Sequence, residues 1–341
     1  MSRYSFEEII PGKTSEARLR EYHELRKAFA VQYQDVVDPD FQTFRETLEF
    51  SITKNGFTIF VFRHEGRMIG YLRYWVTNPH HPLAQNNSVL CYLPEEHMNG
   101  SLQKLLLSCL LDKLQSTGQQ KCLWRSSHGH ILELIRSLGP EPSNSAHWFR
   151  LAPSAVKDAL IDGWLARVDL QALRISMQLF DFVPNLHLEE VAKLSNELVN
   201  DMKREDTSLT FHVDADYITR AQENFRKTRQ HPYHLILRND KGELIGMSLL
   251  MINKEGTLAD QRLTGVVKDW RKRGLAKWMK AKMLRMVKDD YKTVSEIRTE
   301  CFSANTPMIA INKALGYELY RTDHDFYITP RLLESFLKGA P

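Results

Sequence analysis

The sequence predicts an α/β chain of mixed-sheet type, with two tandem domains that each hold a central mixed β-sheet flanked by helices. Three observations lead there. The chain has 341 residues, 43% apolar and 26% charged, long enough for one large globular domain or two ordinary ones. Its hydrophobic period switches repeatedly between about 3.6 and 2 residues, the signatures of helix and strand. Finally, one order of elements occurs twice at a nearly constant offset. Glu65-Gly66-Arg67-Met68-Ile69-Gly70 is answered by Lys241-Gly242-Glu243-Leu244-Ile245-Gly246 at an offset of 176. Asp38-x-Asp40 returns as Asp214-x-Asp216 at 176, Gly100 as Gly274 at 174, and Leu138-Gly139 as Leu315-Gly316 at 177. The expected division is a first domain over 1–152, a connecting helix or linker over 153–172, and a second domain over 173–341.

The first 55 residues read as helices. Residues 14–33 carry Leu19, Tyr22, Leu25, Phe29 and Tyr33 at helical spacing, and Asp38-Pro39-Asp40 opens a second helix with Asp38 as its cap. Residues 57–62 and 68–76 form a hairpin. A strand follows over 88–93, then an apolar helix over 100–114, a strand over 121–125 and a helix over 130–138 closed by Gly139. The Pro-rich stretch Gly139-Pro140-Glu141-Pro142 leads to a last short strand around Trp148.

The second half runs through the same order. A strand over 174–182 precedes an amphipathic helix over 188–202 and a second helix from Asp214 to about residue 229. Residues 233–237 and 244–252 form a hairpin, and 257–267 a strand. A helix opens at Gly274 with Leu275, Met279, Met283 and Met286 on its buried side. A strand over 294–302, a helix over 305–315, two short strands within 316–329 and a terminal helix from Arg331 complete the chain.

Composition excludes several classes. A net charge of +4 is small for this size and argues against a nucleic-acid-binding protein. No apolar run approaches the roughly 20 residues that span a bilayer, and the N-terminus has no basic-then-apolar leader pattern. Cys91, Cys109, Cys122 and Cys301 show no metal or disulfide spacing and are expected to be free thiols in a reducing, cytoplasmic setting. The histidines of Asn78-Pro79-His80-His81-Pro82 lie in a Pro-rich loop without clustered carboxylates, so no metal site is expected. Nothing in the sequence separates a monomer from a homodimer.

The chemistry concentrates in Gln261–Ala276. An apolar strand ends at Val267, a charged turn follows, and a helix opens at Gly274. Unpaired N–H groups of a first helical turn, with the helix dipole behind them, favour an anion such as a phosphate. Nine Lys and Arg residues lie from Lys268 to Lys288 against one acid, Asp269. Lys280, Lys282, Arg285 and Lys288 read as a solvated helix face, whereas Arg271 and Arg273 lie in the turn itself.

This order of elements resembles the GNAT superfamily of acyl-CoA-dependent N-acyltransferases. The phosphate motif Arg/Gln-x-x-Gly-x-Gly/Ala stands as Arg271-Lys272-Arg273-Gly274-Leu275-Ala276, and Asn305-x-x-Met308-x-x-x-Asn312-x-x-Leu315-Gly316-Tyr317 is similar to the family's last functional helix. Gln261-x-x-Thr264-Gly265-Val266, with Asn200-Asp201-Met202 and Glu205-Asp206, looks like a tandem branch that includes mycothiol synthase. The resemblance implies acetyl-CoA as cosubstrate, with its pantetheine arm along Gly265, Val266 and Val267 and its pyrophosphate on Arg271, Lys272, Arg273, Gly274, Leu275 and Ala276. Asn305 and Asn312 would line the arm. Many members use a tyrosine at the position of Asn312 to protonate the departing thiolate; that role does not transfer here, and Tyr317 is the nearest candidate acid.

The implied reaction is attack of a small-molecule primary amine on the thioester, with Asp260 and Thr264 as candidates for the base and Glu205 and Asp206 lining the acceptor pocket. Asp214 reads as a helix cap. In the first half the motif is replaced by Glu95-Glu96-His97-Met98-Asn99-Gly100, whose acids repel a pyrophosphate, so that half is expected to be degenerate. A protein or peptide acetylator and a non-catalytic acyl-CoA sensor are the alternatives.

Overall fold

The computed structural model describes residues 3–33, 40–75, 87–208 and 210–339. These form two compact units, one from the described residues up to Ser143 with the segment from Asp323 onward, the other from Asn144 to Thr322.

The first unit contains β1 (Tyr4–Glu8), α1 (Glu16–Tyr33), α2 (Phe41–Asn55), β2 (Phe57–His64), β3 (Arg67–Trp75), β4 (Asn87–Tyr92), α3 (Gly100–Ser116), β5 (Cys122–Ser126) and α4 (Gly129–Ser137). The second contains most of β6 (Glu141–Leu151), then α5 (Asp158–Ala166), β7 (Ser176–Phe180), α6 (Leu188–Asn200), α7 (Ala215–Lys227), β8 (His231–Arg238), β9 (Leu244–Ile252), β10 (Leu258–Val266), α8 (Leu275–Asp290), β11 (Glu296–Phe302) and α9 (Thr306–Leu315). Strand β12 (Glu318–Ile328) and α10 (Pro330–Leu337) close the chain.

Both units repeat one topology. The strand order is β1-β2-β3-β4-β5-β12 in the first and β7-β8-β9-β10-β11-β6 in the second. Each has one parallel pair, β4–β5 and β10–β11, joined by the crossover helices α3 and α8. In the first unit, Leu102, Leu106, Leu107 and Leu110 of α3 pack on one face of the sheet with Trp124 and Tyr74. Tyr22, Phe44, Ile59 and Tyr71 form the core on the α1–α2 face. In the second, Leu275, Met279 and Met283 of α8 pack with Leu250 and Ile297, and Val191, Leu194 and Leu198 of α6 with Ile236 and Met247.

The structure departs from the sequence expectation in five places. β1 precedes the first helices; its five residues include two glutamates, too short and polar a run to read as a strand, yet Phe6 pairs with Phe62 and Glu7 bonds to Arg63 at 2.8 Å. Helix α2 is capped by Asp40, which accepts from the Thr43 N–H at 2.8 Å; Asp38 and Pro39 lie outside the described residues, as do residues 78–82. Asp40 and the α7 cap Asp214 are 174 residues apart, the same offset as Gly100 and Gly274. The short strand around Trp148 is the 11-residue β6, which starts inside the Pro-rich stretch and pairs with β11. Residues 316–329 hold one long strand, and its part from His324 to Ile328 pairs with β5. The expected cuts at 152 and 172 therefore do not follow the compact units. The segment 153–172, expected as a connecting helix or linker, holds α5, whose Ile161 and Trp164 are buried in the core of the second unit.

Candidate active site

The site begins where two strands part. β10 pairs in parallel with β11 only from Leu258 to Gln261, opposite Glu296 to Thr299. A bulge lies between Gln261 and Thr264 on the β9 side. Buried hydrogen bonds hold this branch point: Gln261 Nε2 donates to the Leu249 carbonyl at 2.9 Å and to Ser248 Oγ at 3.0 Å, and the Thr299 hydroxyl donates to the Gln261 carbonyl at 2.9 Å. Thr264 belongs to the same network, 2.8 Å from Ser248 Oγ, so its hydroxyl is committed to the bulge and not available as the expected base.

Beyond the branch point the backbone sets what can bind. The Val267 N–H donates to the Ile245 carbonyl of β9 at 2.9 Å. By strand alternation the Gly265 N–H faces β9 as well, and that of Val266 faces the opening left by β11. Of the three residues expected to pair with the cofactor arm, Val266 alone presents its N–H there. Gly265 is small because α6 lies against it: a Cβ would come within 3.0 Å of Leu198.

A short 3₁₀ turn, Lys268–Trp270, carries the chain to α8. Lys272 and Gly274 have φ of +63° and +81°, and α8 starts with no side-chain cap. Among the described residues, the N–H groups of Lys272, Arg273, Gly274, Leu275, Ala276 and Lys277 have no acceptor. Six consecutive open donors at a helix start are an arrangement suited to an anion, and this turn is called the cradle below. Arg273 stacks on Trp270 at 4.7 Å and Lys277 on Trp164 at 5.2 Å, which keeps both cations beside it. Gly274 itself answers to the positive φ and to Val168, whose methyl a Cβ would meet at 3.1 Å, rather than to close passage of a ligand.

Arg271 does something other than expected. Its Nε donates to the Val266 carbonyl at 2.9 Å, its Nη2 bonds to Asp201, and its N–H is taken by the Lys268 carbonyl. It braces the end of β10 against α6. Arg285 and Lys288 are likewise structural, paired with Asp158 and, for Arg285, Asp162 of α5.

The second unit also holds an unpartnered buried polar group. Asn312 of α9 is fully buried, and neither its Nδ2 nor its Oδ1 has a partner among the described residues. Lys280 of α8, expected on a solvated face, is 3% exposed, with Nζ 5.3 Å from the centroid of the Tyr317 ring. Burial lowers its pKa to about 8. Tyr317 is buried too; desolvation and the charge of Asp260 push its hydroxyl well above the usual phenol range, which makes it a poor acid. Asn305 is the first residue of the α9 turn, but its side chain makes no capping bond.

The acidic candidates are mostly engaged. Asp260 is half-buried, with Arg262 at 2.7 Å; burial raises its carboxyl above the ordinary range, and Arg262 and Arg298 oppose that rise. Glu205 accepts from the Ser303 hydroxyl at the end of β11. The Asp206 carboxylate accepts from the Ser208 N–H and hydroxyl at 2.9 and 2.6 Å, and its N–H donates to Asn144 at 3.0 Å, so Asp206 shapes its own loop. Asp214 caps α7 through the Tyr217 N–H at 2.6 Å. No group of three or more His, Cys, Asp or Glu side chains suited to a metal occurs among the described residues. Nor is any helix there long and apolar enough to cross a membrane.

Comparison with known proteins places this geometry. Residues 196–317, which span the branch point, the cradle and α9, match the acetyltransferase (GNAT) family. The matched stretch is 122 of the chain's 341 residues and is similar to that family. The fold of the chain is similar over nearly its whole length to a tandem GNAT protein from the clavulanic acid biosynthesis pathway, with a TM-score of 0.73, 17% identity, and coverage of 96% of this chain and 98% of that one. A GCN5-related N-acetyltransferase from Sphaerobacter thermophilus gives a TM-score of 0.66 at 14% identity, covering 97% and 96%. The glucosamine N-acetyltransferase region of a fungal multi-domain GH3 β-N-acetylglucosaminidase gives 0.61 at 11% identity, covering 95% of this chain and 38% of that one. No curated protein matches the sequence. At these identities the solved structures show the tandem fold alone.

Val266, Leu275 and Tyr317 share one hydrophobic core cluster of the second unit, to which Leu315 of α9, the helix that carries Asn312, also belongs. The structure ties Thr264, Arg271 and Asp206 into other contacts. Sequence reasoning missed Lys280, although its spacing of four from Ala276 sets it on the motif's own helix face.

Proposed function

We propose that the chain is an acetyl-CoA-dependent N-acetyltransferase that moves an acetyl group to the primary amine of a small molecule by direct attack in a ternary complex. The run of six unpaired N–H groups from Lys272 to Lys277, inside the stretch similar to the GNAT family, carries this reading. Acetyl-CoA would supply an activated acyl thioester. The cradle would hold its pyrophosphate, with Lys272, Arg273 and Lys277 adding charge, and the arm would lie along the β10 edge at Val266 toward Asn305 and the orphaned amide of Asn312. A partnerless buried amide fits a ligand that brings both a donor and an acceptor.

The Val266 N–H would donate to the carbonyl oxygen on which negative charge develops. Asp260, with its carboxyl raised by burial, would take the ammonium proton of the acceptor through solvent. Glu205 would offer a carboxylate to a cationic acceptor. Free-thiol release from acetyl-CoA across a panel of small amines and peptides tests this. Turnover with a small amine supports the reading, and turnover with peptides alone favours a protein acetylator. The asparagine at the position where the family often has a tyrosine favours a second reading, an acyl-CoA sensor; CoA binding without turnover on any amine would establish it.

A further inference from the structure

The GNAT reading leaves the departing thiolate without an acid, because Asn312 has no acidic proton and burial makes Tyr317 a weak one. Lys280 lies one turn beyond Ala276 on the same face of α8 that carries the cradle. It is 3% exposed, and among the described residues no carboxylate lies within ion-pair distance of it. A buried ammonium without a counter-ion is costly unless an anion arrives to meet it. The second observation is Asn312, fully buried with both amide atoms unpartnered. Lys280 on α8, Asn312 on α9 and Cys301 on β11 belong to the elements around the opening, and Cys301 lies two residues past the last residue of β11 that pairs with β10.

We propose that Lys280 is the proton donor to the departing thiol, with the Asn312 amide hydrogen-bonding the same end of the arm; this rests on the acetyl-CoA reading above. As the carbonyl–sulfur bond breaks, its electron pair stays on sulfur and Lys280 Nζ gives that sulfur one proton. The acceptor nitrogen, having formed the new carbon–nitrogen bond, loses a proton to solvent, and the neutral lysine regains one from solvent. Proton transfer is best matched when donor and acceptor have similar affinities. Lysine held near pH 8 meets a thiol whose ordinary value is about 8.5. The titratable groups facing Lys280 are Cys301 and Tyr317. Cys301 is itself pushed up to about 11 by burial, so it stays a neutral thiol where Lys280 titrates.

The test uses the full chain and free CoA, reading the ultraviolet absorbance of the bound thiolate against pH. In the unmutated protein the bound thiol should ionise about one pH unit below free CoA. Lys280→Met should abolish that shift while weakening CoA binding by less than about tenfold, and should slow acetyl transfer by about 100-fold. Lys280→Arg should keep the shift through its charge but not the rate, because arginine does not release its proton. Bound CoA with an unshifted thiol, or the same shift in Lys280→Met, would overturn this role and leave the acetyl-CoA reading standing. No CoA binding to the unmutated chain would overturn both.

Discussion

Helix α3 opens after Asn99 and helix α8 after Gly274, at matching places in the two units, and their first turns are used in opposite ways. Asn99 Oδ1 accepts from the N–H groups of Ser101 and Leu102 at 3.1 and 3.2 Å, and its Nδ2 donates to the Tyr4 hydroxyl at 2.7 Å. The turn before it carries Glu95 and Glu96, both exposed. Gly274 has no side chain to offer, leaves its donors open, and follows Lys272 and Arg273. Capping a helix and binding an anion compete for the same N–H groups. One unit uses them to cap its own helix and the other leaves them open.

The largest effect should come from reversing the charge at one start. Gly274→Glu puts a carboxylate at the cradle and a side chain at φ +81°, and should weaken CoA binding by about 100-fold or more. Gly100→Glu, where a Cβ meets nothing within 4 Å, should change it less than about twofold. Calorimetric titration of both variants checks this; equal loss would break the contrast.

Next comes Lys280→Met, which should stabilise the ligand-free protein. The lysine is held near 8 when folded, against about 10.4 unfolded. Its penalty, about 3 kcal/mol at most, is therefore complete below pH 8 and disappears as pH rises through the unfolded value. Urea unfolding of both proteins at pH 7 and pH 10 should show a clearly larger gain at the lower pH. A pH-independent gain would mean that folding leaves the lysine's pKa unchanged.

The smallest effect belongs to the other start. Asn99→Ala removes the cap and should cost about 1 kcal/mol of stability without creating a second CoA site, because Glu95 and Glu96 remain. Binding at a second stoichiometric site after this change would show that the cap alone separates the two units.

What was legible in the sequence was local. Gly274, the basic turn and the repeat could be read because each depends on neighbours a few residues away. Lys280 could not, because a lysine in a basic run reads as solvated, and only packing against Tyr317 shows otherwise. Thr264 reads as a free polar group until Ser248 of the neighbouring strand reaches it, whereas the Asp206 carboxylate is taken up by Ser208, two residues away. The use of β12 to complete the first unit and β6 to complete the second is equally nonlocal, since alternation within a strand does not name its partner.

Titration of CoA into the full chain tests the account most directly. It should give one equivalent per chain, lost in Gly274→Glu and retained in Gly100→Glu. Two equivalents per chain, or undiminished binding by Gly274→Glu, would contradict it.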